Sequence, residues 1–381
     1  MKRLSIILSI AAVAAFTSCR ETVFTPRPTI PLVYSILQDT SGFKDVVRSF
    51  PMDGPNGSIA IIGSPEESIL LAESLLTADF VNNIDGSLTP DHLPDFSGEH
   101  FDLLLDPVNT PYGGFIPENP DGLREATVRL SVFAMDTLCR LNPYSADNLK
   151  RKSGAKVLLL SSAYMSEWGQ FDVDTLIQLA GGTPLTISPV QALLEEALTG
   201  GENVNIGVWA SASVAESGVY ESVHSGMCSA SALKVLTPEL KDEGFRGILS
   251  QYRLSGSPMP MNVLLLDDFG ASADGIMAEA DSIRAGFSEE DLALAKVMAP
   301  DFRVVEATSA LCRSCYRMMR KENLFTHNIS YPDASLYRTE KDRAGNLVLV
   351  ELSDRYMPPT WAEFMDAFAE NTRRFYVSDN D

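Results

Sequence analysis

Short apolar runs that end in small or polar residues alternate along this chain with helical patterns, the rhythm of parallel strands wound with helices. Residues 58–62 (SIAII) lead into Gly63-Ser64-Pro65-Glu66-Glu67. There Ser64 suits a helix N-cap, Pro65 the first helical position and Glu67 the return bond of a capping box, so a helix is predicted through Leu76. A strand over 101–105 (FDLLL) follows, and 120–138 carries Leu123, Thr127, Leu130, Ala134 and Leu138 at helical spacing. The most regular part begins with a strand over 156–160 (KVLLL), a helix over 172–179 stopped by Gly181-Gly182, and a strand over 185–187. A helix from Ser188-Pro189 through Leu198 then ends at Gly200-Gly201. Strands over 205–209 (NIGVW), 261–266 (MNVLLL) and 302–307 (FRVVEA) alternate with helices over 215–223, 273–284 and 312–321. The tail reads as a β-hairpin, 334–337 and 347–351 around Ala344-Gly345-Asn346, and a final amphipathic helix over 359–374.

The predicted class is therefore α/β, with mostly parallel sheets flanked by helices in Rossmann-like or periplasmic-binding-like layers, closed by a C-terminal hairpin and helix. Five segments are expected: a leader at 1–18, an anchor and Pro-containing tether at 19–35, a first α/β lobe at 36–150, a second at 151–300, and a C-terminal part at 301–381. The boundary near 150 rests on the polar stretch 148–154 (NLKRKSG).

The start of the chain departs from this rhythm. Lys2 and Arg3 precede an apolar run over 4–16, and Thr17-Ser18 precede Cys19. That is the layout of a secretory signal, too short for the roughly 20 apolar residues that cross a bilayer. It resembles the bacterial lipoprotein signal, in which small residues before an invariant cysteine direct cleavage after a diacylglyceryl group joins the thiol. By that resemblance Cys19 carries lipid, and Arg20, where an Asp would resemble an inner-membrane retention signal, points to the outer membrane. An ordinary secreted protein with an incidental Cys19 is the alternative. Pro26, Pro28 and Pro31 then favour an extended tether.

The charge changes the list of partners. The whole chain carries a formal net charge of −21, and removal of Lys2 and Arg3 with the leader leaves 28 basic against 51 acidic side chains. Such a field repels nucleic acid and anionic lipid, and it also keeps an exported protein soluble. With 45% hydrophobic residues the body has ample material for a core. Apart from Cys19 there are cysteines at 139, 228, 312 and 315, an even number whose pairing sequence leaves open.

In open parallel sheets, ligands sit beyond the carboxyl ends of strands. The candidate ligand-binding residues there are Ser64, Asp106, Asn109, Ser161, Ser162, Tyr164, Trp168, Ser211, Asp267 and Asp268, with Ser188, Ser213 and Tyr112 nearby. A rim of Ser, Asn and Asp suits a hydroxylated or amine-bearing molecule, and the aromatic rings suit stacking on a sugar. The competing role for each Ser or Asp is a helix cap. Asp267-Asp268 could hold a divalent cation or act as acid and base, but nothing supplies the remaining metal ligands.

Catalytic templates are absent: no G-x-S-x-G elbow, no phosphate loop, no G-x-G-x-x-G, and four scattered histidines at 92, 100, 224 and 327. Two stretches carry partial likenesses. Residues 205–220 (NIGVWASASVAESGVY) are similar to the strand, turn and helix that open the second half of aspartate/glutamate racemases, which implies a related α/β fold. Those enzymes use a cysteine after a strand in each half, and here the counterparts read DPVNT (106–110) and LDDFG (266–270), without a thiol. Cys312-Arg313-Ser314-Cys315 resembles the redox motif of thioredoxin-like proteins, which implies a reactive thiol at a helix start. No Trp precedes it, and a local disulfide or two buried thiols are the alternatives.

The resulting expectation is a lipid-anchored envelope protein, not an enzyme and without cofactor or metal, that binds a small polar solute. It is joined to the membrane through Cys19 and has no nucleic-acid partner. The alternatives are an envelope enzyme, either an oxidoreductase using Cys312 and Cys315 or a hydrolase using strand-end Asp residues, and a structural or interaction lipoprotein.

Overall fold

The computed structural model describes residues 27–38, 46 and 54–352, apart from 84, 200, 202, 228–229, 238–243, 258 and 329. The leader, Cys19, Cys228 and the helix expected over 359–374 lie outside the described residues.

Helix α1 (Pro31–Gln38) precedes β1 (Ser58–Gly63), α2 (Pro65–Leu76), β2 (His100–Leu105), α3 (Pro120–Met135) and the short strands β3 (Leu138–Arg140) and β4 (Leu149–Arg151). Then come β5 (Ala155–Leu160), α4 (Ala163–Glu167), α5 (Gln170–Ala180), β6 (Leu185–Ile187) and α6 (Pro189–Leu198). A second series follows: β7 (Asn205–Trp209), α7 (Ala212–Ser217), α8 (Val219–Met227), β8 (Ala232–Leu236), α9 (Gly244–Leu254), β9 (Met261–Leu266), α10 (Ala273–Ala285), α11 (Glu289–Ala295) and β10 (Met298–Glu306). The described chain closes with α12 (Ala307–Lys321), β11 (Asp333–Lys341) and β12 (Leu347–Glu351).

These strands build two sheets, one of order β4-β3-β12-β11-β2-β1-β5-β6 and one of order β10-β9-β7-β8. The run β11-β2-β1-β5-β6 is parallel throughout, as is the whole second sheet. The α/β class with mostly parallel sheets flanked by helices is thus the observed fold, and β11 and β12 form the expected antiparallel hairpin.

Both sheets share one winding order. The first strand of each series is central, the second lies on one side of it, and the third and fourth lie on the other. In the first lobe this is β2-β1-β5-β6, and in the second β8-β7-β9-β10. The order reverses at β1/β5 and at β7/β9. Right-handed crossovers then send successive helices to opposite faces and leave a crevice at the carboxyl ends of those strands.

Sheet membership changes after α6, near residue 200, not near 150. The polar stretch 148–154 that set the expected boundary is the edge strand β4 and the turn into β5, and β5 and β6 complete the first sheet. The run over 215–223, expected as one helix, is also broken: Gly218 adopts φ +70°, ending α7 and starting α8 in a new direction. The strands β3, β4 and β8 were not expected, because each is short and largely or partly exposed.

Strands β1 and β5 are buried along their whole length, which is why they read as continuous apolar runs. One core fills the first lobe and continues onto the inner face of the second sheet through Ile206, Val208, Tyr220, Val263 and Leu265. A separate cluster, with Phe245, Ile248, Leu264 and Ile283, covers that sheet's outer face under α9, α10 and α11. The chain just before α1 is fastened to the body. Asp172 accepts from the Ile30 backbone N–H (3.0 Å) and from Arg124 Nε (2.6 Å), and the Arg124 guanidinium also donates to the Pro28 carbonyl (2.8 Å).

Candidate active site

The two switch points face a common cleft. Ser64, Glu66, Glu67, Thr110, Tyr112, Ser162 and Tyr164 come to it from the first lobe, and Trp209, Ser211, Ser213, Thr237, Asp267 and Asp268 from the second, around a volume of about 1250 Å³. None of the described residues that line it is Lys, Arg, His or Cys.

Glu67 is placed by the Ser64 helix cap that the sequence predicts, its carboxyl meeting the Ser64 hydroxyl in place of the expected return bond to the Ser64 backbone N–H. The Ser64 side chain caps α2, with the Glu67 backbone N–H pointing to Ser64 Oγ at 3.4 Å, and the Ser64 hydroxyl donates to Glu67 Oε2 at 2.7 Å. The carboxyl is pushed up to about 7. Burial is the main cause, the negative fields of Asp267, Glu66 and Asp268 add to it, and the Ser64 hydrogen bond opposes it. Asp267 follows β9, where its backbone N–H donates to the Trp209 carbonyl at 3.0 Å. Its Oδ1 accepts from the buried Tyr220 hydroxyl at 2.5 Å. Burial raises Asp267 to about 6, against that hydrogen bond and with Asp268 as a further raising influence. The cleft therefore holds two carboxyls, one from each lobe, that change charge near neutrality, and the field of Asp267 reaches Glu67.

The other expected residues divide by environment. Ser162, Tyr164 and Ser211 line the cleft with Ser64, and Ser211 also caps α7. Asp268 lines it too, but it is exposed and its Oδ1 accepts from the Gly270 N–H at 2.7 Å, so it is a turn residue. Asp106 turns inward. It accepts from Asn109 Nδ2 (2.9 Å), Tyr112 (3.1 Å) and Thr339 (2.6 Å), and so ties the loop after β2 to β11. Asn109 is used in that tie and Ser161 is buried against Ser68 at 3.0 Å, so neither is among the residues lining the cleft. Trp168 is buried beneath Arg27, whose guanidinium lies 5.6 Å from its ring centre, and Tyr112 spends its hydroxyl on Asp106, so neither ring is offered for stacking through its polar edge.

The redox reading of Cys312 and Cys315 is corrected. Both lie well inside α12, not at its start, facing the core as free buried thiols. Burial pushes the Cys312 thiol up to about 12 and also raises Cys315 well above its ordinary value, the reverse of an activated nucleophile. His92 is exposed, and His100 sits between Asp102 (3.2 Å) and Asp333 (2.7 Å) at the far end of β2. Among the described residues no cluster of His, Cys, Asp or Glu is arranged to hold a metal ion.

No known protein-family profile and no curated protein sequence matches the chain. Solved structures do. Glutamate racemase from Francisella tularensis, in complex with D-glutamate, is 14% identical over 83% of this chain and 94% of its own, with a TM-score of 0.48. Glutamate racemase from Thermus thermophilus is 13% identical over 77% and 91%, with a TM-score of 0.47. An aspartate racemase homologue from Pyrococcus horikoshii is 11% identical over 69% and 99%, with a TM-score of 0.40. These likenesses concern the fold. The structures matched are titled racemases and a racemase homologue, against the expectation of a non-enzymatic solute-binding protein and the preference against an enzyme, and that expectation is withdrawn. None of the three is titled a lipoprotein, a membrane protein or a solute-binding protein.

Sequence reasoning missed Glu67 and Tyr220 as site residues. Glu67 was read only as a cap, although a glutamate three residues into a helix at a switch point is a usable signal. Tyr220 gave none, since only the break at Gly218 brings it to Asp267.

Proposed function

We propose that the protein is an acid–base enzyme of racemase or epimerase type that moves a proton at a carbon atom of a small polar molecule, with Glu67 and Asp267 as its proton carriers. The observation that carries this reading is the pair of carboxyls, one from each lobe, lining one cleft and both poised near neutrality. Proton exchange at carbon needs one ionised carboxylate to take the proton and one protonated carboxyl to return one. Between pH values of about 6 and about 7, the form with Asp267 ionised and Glu67 protonated is favoured. The hydroxyls of Ser162, Tyr164, Ser211 and Ser213 supply donors to a hydroxylated substrate. With four carboxyl side chains and no basic one among the described lining residues, a dicarboxylate meets no counter-charge, so an uncharged or amine-bearing substrate fits the cleft.

The test is solvent exchange. The purified protein is incubated in D₂O with chiral amino sugars, polyols and amino acids, and deuterium entering a C–H bond is read by mass spectrometry and NMR. Wash-in with one class, lost by at least ~10²-fold in both Glu67→Gln and Asp267→Asn, supports the reading. Wash-in that survives both substitutions ends it.

We further propose export and lipid anchoring at Cys19 in the outer membrane, supported by residues 1–20. Growth with an alkyne-tagged fatty acid should label the wild-type protein and leave Cys19→Ser unlabelled.

A further inference from the structure

Tyr220 is among the largest fully buried side chains of the molecule, and the mechanism above does not use it. It stands at the second position of α8, directly after the turn at Gly218. Its ring belongs to the core shared by the two lobes, while its hydroxyl reaches out of that core to Asp267 Oδ1 at 2.5 Å. A buried phenol without an acceptor is costly, and a charge-assisted O–H···O⁻ bond is short and strong, so each group has reason to hold the other. The Asp267 carboxyl is thereby gripped at one oxygen by the phenol, while the bond from its own backbone N–H to the Trp209 carbonyl fixes the strand end beneath it.

We infer that Tyr220 is a positioning residue for Asp267: its hydroxyl holds one carboxylate oxygen, favours the ionised form, and leaves the second oxygen for the substrate. This rests on the acid–base reading of the cleft. The charged and titratable groups around Asp267 are its neighbour Asp268, Glu67 of α2 and Tyr164 of α4, with Tyr220 of α8. Glu67 and Asp268 are both carboxyls whose charge disfavours a second one nearby. Of these partners the Tyr220 phenol is the one that stabilises the Asp267 carboxylate by direct donation. It works against the rise that burial imposes on Asp267.

The experiment follows the side-chain carboxyl carbons of Asp267 and Glu67 by ¹³C NMR across pH in the whole protein, for the wild type and Tyr220→Phe. Removing the hydroxyl should move the Asp267 midpoint up by about one unit or more and leave Glu67 within a few tenths. In the exchange assay kcat should fall about tenfold, with KM little changed and the acid limb displaced upward by the same shift. A reciprocal variant guards against a folding defect: in Asp267→Asn the Tyr220 phenol, followed by its ultraviolet absorbance, should titrate at lower pH than in the wild type. An Asp267 midpoint that does not move in Tyr220→Phe overturns the inference, as does an unmoved phenol in Asp267→Asn. Absence of any wash-in from the wild type counts against the acid–base reading alone, because the two titrations stand without substrate.

Discussion

At the scale of single residues, chemistry in this protein follows environment and not identity. Three aspartates were expected to matter by position, namely Asp106, Asp267 and Asp268. Asp106 is consumed by hydrogen bonds that fix a loop, Asp268 caps a turn, and Asp267 alone combines burial with a face on the cleft. The pH dependence follows from the pair it makes with Glu67. Below about 6 both are protonated and the base is lost, and above about 7 both are ionised and the acid is lost, so activity should trace a narrow bell between those limbs. A profile flat from pH 5 to 8 would remove both from the chemistry. The cysteines make the opposite case. Cys312 and Cys315 should resist alkylation at pH 8 in the folded protein and react only in denaturant, as read by mass mapping of the labelled peptides.

At the scale of elements, two glycines show different physics. A Cβ on Gly63 would lie 1.9 Å from Ser161 Oγ, because the ends of β1 and β5 approach closely where the winding order reverses. A Cβ on Gly218 meets nothing within 4 Å, but its φ of +70° suits glycine. Gly218→Ala should therefore cost about 1–2 kcal/mol through the backbone alone. Gly63→Ala should cost more, about 2–4 kcal/mol, because packed atoms must move. Denaturant titration of both variants decides between these origins. Ser64→Ala should lose about 1 kcal/mol of helix capping. It should also raise the Glu67 midpoint, since the Ser64 hydroxyl favours its ionised form.

At the scale of the molecule, the raised groups give stability a common direction with pH. Glu67 at about 7, Asp267 at about 6 and Asp95 at about 6 hold their protons in the folded protein at pH values where the unfolded chain has released them, chiefly because burial disfavours their charge. His100, raised to about 10 by its bonds to Asp102 and Asp333, does the same over the upper part of the range. At these four groups the folded state thus binds more protons than the unfolded one. For the carboxyls, stability falls as pH rises from the unfolded values near 4 through about 7, and for His100 it falls from about 6.5 to about 10. The melting temperature should be several degrees higher at pH 5.5 than at pH 8.5 in the same salt. A higher value at pH 8.5 would mean that these groups are not buried as described.

The alternation of apolar runs and helical patterns determined the α/β class, the hairpin and the helix cap at Ser64, because each depends on residues close in the chain and on a period of two or 3.6. The same local reading pointed to the carboxyl ends of strands, where the cleft lies, since backbone geometry puts helix starts there whatever the sequence. It put the lobe boundary near 150, where only a polar edge strand lies, because strand order is a long-range choice with no local signature. It also could not separate Asp267 from Asp106, or join Tyr220 to Asp267 across 47 positions. Those distinctions arise from desolvation and hydrogen-bond partners, which exist only after two lobes have closed around one cleft.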